Sequence, residues 1–314
     1  MALLSICIPT FNRAAILRKA LAAYVDCPDF DSDVEIVISD NASTDETKQV
    51  AMEFESRFPN IKYFRNEENV KDSNFCIVLD RASGEYLKLM NDNFIIDRAG
   101  LGYIKSTIRK SLDSREALFF TNGYVFNHRQ EETVNCHSFD DFIKYTSFFV
   151  TAIGMFGAWR EDWALVQDRL KYTKLLLNQD DWAYQIVENK RKCRICTIRY
   201  GTGINVGVRS GYNWFKVHID NYYSILQPYI DKGLVSKKTL ALEHKTFLRG
   251  LKLHILAYYC PKVLPDFFFD RSGMYSSLYK HFKCDLYFYF LFLSLPIWGT
   301  LVVARKLLKN KNLV

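Results

Sequence analysis

The sequence predicts an α/β fold: a Rossmann-like, mostly parallel central sheet flanked by helices, followed by a helical C-terminal region. Three observations predict it. Short apolar runs alternate with helix-patterned stretches through the first 90 residues, the pattern of βαβ units. Polar residues close those runs at Thr10, Asp40 and Asn91 to Asn93. The carboxyl ends of parallel strands are where open α/β sheets bind ligands. Beyond about residue 210 the strand-like runs give way to helical patterning.

Leu3 to Ile8 is a continuous apolar run broken at Pro9, as expected of a strand buried on both faces. Ala14 to Tyr24 has helical periodicity and good helix formers. Val34 to Ile38 is the second strand, and Ser43 or Thr44 is expected to cap the helix that runs to Phe58. Ile61 to Phe64 is a third strand, Asn69 to Leu79 a helix, and Tyr86 to Met90 a fourth strand. A helix is expected over Arg98 to Ile108 and a strand over Ala117 to Thr121. Gln130 to His137 is polar and reads as a surface excursion. Phe148 to Phe156 is apolar, Glu161 to Leu170 is helical, and Asn178 to Asp181 opens a helix that runs to Asn189. Arg194 to Tyr200 reads as the last strand. The expected organisation is a sheet domain over 1–208, a helical extension over 209–283 and a terminal segment over 284–314.

Composition narrows the function classes. The chain has 314 residues and a formal net charge of +7, which suits an anionic partner. The basic residues are spread along the chain with no zinc-finger spacing and no basic helix, so no nucleic-acid partner is expected. Cys193 and Cys196 form the sole C-x-x-C; with no second pair nearby, they read as a strand rather than a zinc site. Gly201, Gly203 and Gly207 lie at the wrong end of the sheet for a phosphate cradle. The N-terminus lacks the basic region and cleavage site of a signal peptide.

The terminal segment is unusual. Leu286 to Ala304 is 19 residues without a charge, interrupted by Pro296 and Gly299 and followed by Arg305, Lys306, Lys309 and Lys311. Its length lies near the threshold for a membrane span. Basic residues on the far side argue against a single crossing from a cytosolic domain. An interfacial anchor on an anionic membrane surface is expected, with a buried hairpin or an oligomer interface as the alternatives.

Three motifs carry a family resemblance. Ser5-Ile-Cys-Ile-Pro9-Thr10-Phe11-Asn12-Arg13 resembles the first-strand signature of the family 2 glycosyltransferases of the GT-A fold. Glu35 to Asp45 with Thr47 resembles their second-strand signature, and Gly84-Glu85-Tyr86 through Leu101 the site of their DxD metal motif. The stretch Asn66 to Asn74 is similar to the abequosyltransferase-like branch that builds bacterial surface polysaccharides. The resemblance covers residues 3–200.

That resemblance implies an inverting enzyme moving one sugar from a nucleotide-sugar donor, a UDP-sugar first, to a lipid-linked or oligosaccharide acceptor. It implies a peripheral position on the cytoplasmic face of the bacterial inner membrane. Pro9, Thr10, Phe11, Asn12, Arg13, Asp40, Asn41, Arg65, Lys71, Asn74, Asn91 and Asp92 would bind the donor. Asp181 would be the catalytic base, beside Asp180. Trp159 and Arg160 would line the acceptor site. Asp92 and Asn93 would hold Mn²⁺ or Mg²⁺. The cluster Asn91-Asp92-Asn93-Phe94 departs from the family by replacing two acids with Asn93 and Phe94. Weak metal binding is therefore expected, and an inactive nucleotide-binding or scaffold protein is the alternative. A nucleotidyltransferase is disfavoured because no Gly-rich, Lys-bearing loop follows the first strand.

Overall fold

The computed structural model describes residues 1–128, 132–204, 213–259, 270 and 272–311. The chain divides into two compact units, Met1–Val206 and Gly207–Val314. The expected boundary at 208, and Gly207 of the glycine-rich stretch, lie outside the described residues.

The first unit follows the predicted alternation closely. It runs β1 (Leu4–Thr10), α1 (Ala14–Val25), β2 (Val34–Asp40), α2 (Thr47–Arg57), β3 (Ile61–Arg65), α3 (Ser73–Asp80) and β4 (Tyr86–Leu89). It continues through β5 (Phe94–Ile96), α4 (Gly100–Lys110), β6 (Ala117–Phe120), β7 (Thr133–Cys136), α5 (Phe139–Thr146), β8 (Gly157–Trp159) and α6 (Arg160–Leu165). It ends with α7 (Asn178–Lys190), β9 (Cys193–Cys196) and β10 (Gly201–Gly203).

The main sheet has the order β3-β2-β1-β4-β8. β1 is parallel to both β2 and β4. The strand order reverses at β1, so the crevice between β1 and β4 is the switch point of the sheet. Registers fix what meets there. Thr10 lies beside Asp40, and Cys7 beside Leu89, so three residues further on Thr10 comes level with Asp92. Ile6, Ile8, Ile36 and Ile38 are fully buried against Leu17 and Leu21 of α1. Burying each such side chain is worth roughly 1.5–3 kcal/mol.

Two expectations need correction, and a third holds. The polar stretch around residue 133 is not wholly a surface excursion, because β7 pairs with β9 in a second sheet of order β6-β9-β7. Cys193 and Cys196 are both buried free thiols on β9; the reading as a strand agrees with this. The expected strand to Tyr200 splits into β9 and β10, and β10 pairs with β5. Gly201 is required there: a Cβ would collide with the Phe94 ring and the Ile95 carbonyl.

The second unit is helical. A π-helix over Lys216–Asn221 leads into α8 (Tyr222–Asp231), then α9 (Lys237–Tyr259), α10 (Met274–Phe282) and α11 (Leu286–Lys311). Asp220 accepts from Ser277 at 2.7 Å and meets His281 Nε2 at 2.8 Å, tying the π-helix to α10. α11 continues through Pro296, where the sequence suggests an interruption. Leu286, Phe290, Leu293 and Ile297 are exposed on it at the 3–4 residue spacing of one helical face. Among the described residues no helix is long and apolar enough to cross a membrane.

Candidate active site

The loop after β1 is built by cross-bonding to the loop after β2. Asn12 takes a left-handed backbone conformation, φ +50°, which asparagine tolerates. Its amide nitrogen donates to Ser43 Oγ, and its side-chain oxygen accepts from Thr44 N. Arg13 N donates to Thr47 Oγ1, and Ala14 N to Asp45 Oδ2. Asp45 also accepts from Thr47 N. Neither Ser43 nor Thr44 caps α2, whose N-cap position is Glu46; both hydroxyls lie close to Asn12 instead. Although burial opposes it, the Thr47 hydroxyl and these amides hold the Asp45 carboxyl below its ordinary pKa.

This stapled loop delivers two side chains to Asp92. Thr10 Oγ1 donates to Asp92 Oδ2 at 2.9 Å, and Arg13 Nη1 reaches Asp92 Oδ1 at 2.7 Å. Asp92 is buried, whereas the Arg13 side chain is 40% exposed. The ends of the first and third family motifs therefore meet at the switch point. Pro9 is half-buried; Phe11 and Asn12 are exposed beside it. Asn91 is half-buried.

The β2 edge is more inward-looking. Asp40 accepts from Ser43 N and from Tyr63 Oη, and Arg65 Nε lies 3.8 Å away. Burial and the hydrogen bond to Asp40 push the Tyr63 hydroxyl well up from its usual pKa. Asn41 bonds to Asn66, Asn69, Val70 and the Lys71 carbonyl. Asn74 bonds to Ser39 and Asn66. These amides knit the β2 end to the loop before α3. Arg65 is anchored on the Ser43 carbonyl. Lys71 is exposed, in a left-handed conformation.

The acidic pair opens α7 and differs sharply within itself. Asp180 is fully buried, and neither of its oxygens has a hydrogen-bond partner among the described residues. Burial first, and the charge of Asp181 second, raise its pKa far above the carboxylate range. Asp181 accepts from Gln185 at 2.8 Å. Gln179 donates to the Thr151 carbonyl. The Trp182 ring meets Phe156, whose carbonyl accepts from Leu89 N at the end of β4. The start of α7 thus packs on the segment that flanks the Asp92 edge.

Trp159 and Arg160, expected at the acceptor site, lie on β8 and at the start of α6. β8 runs antiparallel to β4 and pairs Trp159 with Tyr86, so the chain there heads away from the Asp92 edge. Trp159 is fully buried and donates to the Glu116 carbonyl. Arg160 N bonds the Glu85 carbonyl.

Sequence reading misses Tyr63 and Lys88. Lys88 is fully buried, and its ammonium is held by the carbonyls of Gly154, Phe156 and Leu89. Burial lowers its pKa to about 7. A charge inside the apolar run Tyr86 to Met90 is the signal that marks it.

The cation expected at Asp92 and Asn93 is poorly matched by this donor set. Asp92 is already paired with Thr10 and Arg13. Asn93 donates its amide to the Ile204 carbonyl, and Phe94 packs on Tyr200. Among the described residues no three His, Cys, Asp or Glu side chains gather to hold a metal. Hard divalent cations want several oxygen ligands with charge, and these residues do not supply them.

Residues 5–113 match the family model "Glycosyl transferase family 2". The chain carries a family 2 glycosyltransferase domain. A β-1,3-glucosyltransferase of Campylobacter jejuni, named for GalNAc(5)-diNAcBac-PP-undecaprenol, is 38% identical over 92 residues, 29% of each chain. Abequosyltransferase RfbV of Salmonella typhimurium is 33% identical over 114 residues, 35% of this chain and 34% of the relative. The matches thus span about a third of those relatives. Among solved structures, S. aureus TarS 1–349 in complex with UDP-GlcNAc aligns with TM-score 0.57 at 16% identity, over 80% of this chain and 73% of TarS 1–349. Mannosyltransferase PcManGT of Pyrobaculum calidifontis, in complex with GDP-Man and Mn²⁺, aligns with TM-score 0.51 at 15% identity, over 95% and 87%. The fold of the family 2 domain is GT-A.

Proposed function

We propose that this protein is an inverting glycosyltransferase of bacterial surface-polysaccharide synthesis. It moves one sugar from a nucleotide-sugar donor, a UDP-sugar first, to a lipid-linked oligosaccharide. The observation that carries the reading is the Thr10–Asp92–Arg13 contact, which joins two family motifs at the crevice where α/β sheets bind nucleotides. Names of the relatives, one with an undecaprenol-linked acceptor, support the substrate class.

In this reading the acceptor hydroxyl attacks the anomeric carbon from the face opposite the leaving group. Asp181 takes its proton as general base. The anomeric C–O bond breaks, and its electron pair leaves on the β-phosphate oxygen of the nucleoside diphosphate. One displacement inverts the configuration. Asp180, kept neutral by burial, adds no negative charge beside the base. The Asp40–Tyr63 and Asn41 networks hold the base-side wall in shape. The weak Mn²⁺ or Mg²⁺ site expected at Asp92 and Asn93 carries no step here.

The exposed apolar face of α11, with basic sequence after it, suits attachment to an anionic bilayer. That fits a peripheral enzyme on the cytoplasmic face of the inner membrane. The second reading, a nucleotide-binding scaffold, is favoured by Asn93 and Phe94 where the family has acids. Incubating the full chain with UDP-, dTDP-, GDP- and CDP-sugars, with and without Mn²⁺, tests the choice. Release of one nucleoside diphosphate supports the enzyme; nucleotide binding without release supports the scaffold.

A further inference from the structure

We propose that Arg13, oriented by Asp92, takes the place of a divalent cation and neutralises the donor diphosphate, so that this domain works without metal. The inference rests on the glycosyltransferase reading above. It starts from an inversion of charge in the corner where the family resemblance implies a metal. Two expected acids are Asn93 and Phe94. The remaining carboxylate, Asp92, is 4% exposed and already holds a cation, the Arg13 guanidinium at 2.7 Å. A metal entering there would have to displace a charge-assisted hydrogen bond, the stronger kind. In return it would gain one carboxylate, and among the described residues no three His, Cys, Asp or Glu side chains gather to hold it.

The guanidinium has what the leaving group needs. Its planar fork matches phosphate oxygens two at a time. Nη1 is turned to Asp92, while Nε and Nη2 have no hydrogen bond among the described residues, and the side chain is 40% exposed. They are the groups left to face a diphosphate. The base of the side chain is fixed because Arg13 N is bonded to Thr47 Oγ1. Asp92 then acts as a positioning residue, aided by the Thr10 hydroxyl on its other oxygen. In the transfer step the electron pair of the broken anomeric C–O bond comes to rest on the β-phosphate oxygen. Arg13 N–H groups donate to the phosphate oxygens there. The acceptor proton goes to Asp181, so no co-reactant is required.

The test measures UDP binding by calorimetry, and donor turnover, in EDTA and in Mn²⁺. It uses the full chain as wild type, Arg13→Met and Arg13→Lys, with melting curves to confirm folding. The expected result is a UDP affinity for wild type that agrees within threefold between EDTA and Mn²⁺. Arg13→Met should bind UDP at least tenfold more weakly in EDTA, and Mn²⁺ should restore part of that loss by occupying the freed Asp92. Arg13→Lys should fall between, since it keeps the charge and loses the fork. A wild type that needs Mn²⁺ for binding, tightening more than tenfold, overturns the proposal. So does an Arg13→Met protein that binds like wild type in EDTA. Metal-free, Arg13-dependent UDP binding without turnover of any sugar nucleotide would uphold the role of Arg13 in binding and sink the transferase reading.

Discussion

Thr10 and Asp92 are hydrogen-bonded at 2.9 Å across 82 residues of sequence. The contact exists because β1 and β4 are parallel neighbours in a fixed register, Cys7 beside Leu89. Asp92 is buried, so losing the hydroxyl takes one donor away from a buried carboxylate. Thr10→Val, close to the same shape, should lower stability by about 1–3 kcal/mol and weaken UDP binding several-fold. Urea unfolding and calorimetry check this; an unchanged unfolding midpoint would show that the contact contributes nothing.

Asp180 and Asp181 should separate cleanly under mutation. Asp180→Asn replaces a carboxyl already held neutral and should retain donor turnover within about tenfold. The sign of its pH effect follows from the raised pKa. Above the ordinary range near 3.8, the unfolded chain ionises while the folded state keeps its proton. The unfolded state then binds fewer protons, so Asp180 costs stability as pH rises. The gain of Asp180→Asn over wild type should therefore grow from pH 4 to pH 7, read from melting curves. A constant difference would mean that Asp180 is ionised in the fold.

Lys88 has the opposite sign. Its folded pKa is about 7, so between pH 7 and roughly 10.4 the unfolded chain binds more protons and stability rises with pH. Wild type should gain on Lys88→Met over that window, by at most about 1.4 kcal/mol per pH unit. Parallel pH profiles for the two proteins would show that the three carbonyls hold Lys88 charged.

The exposed face of α11 should bind anionic bilayers. The full chain should float with vesicles rich in phosphatidylglycerol, and Phe290→Glu with Leu293→Glu should cut that binding about tenfold or more. Equal flotation of the double variant, or flotation with neutral vesicles alone, would point to a different role for this face.

The sheet was legible where burial leaves a plain trace. Leu3 to Ile8 and Val34 to Ile38 are continuous apolar runs because they lie inside a covered parallel sheet. The polar residues that end them fall at the carboxyl edge, so the site's location could be read. β7 and β8 could not. Thr133 to Cys136 mixes polar and apolar residues and becomes a strand by pairing with β9. Gly157 to Trp159 is three residues long, and its antiparallel direction is set by pairing with β4. For that reason Trp159 looked like a pocket wall and is core. The partners of Asp40 and Asn74 were hidden for the same reason, since Tyr63 and Ser39 reach them through space.

The central claim is that the start of α7 supplies the base for sugar transfer. The most direct measurement is nucleoside diphosphate release by wild type and Asp181→Ala, with a matched sugar nucleotide and lipid-linked acceptor. The account predicts a loss of about 10²–10⁴-fold in turnover with UDP affinity kept within a few-fold. Turnover by Asp181→Ala at the wild-type rate would contradict it.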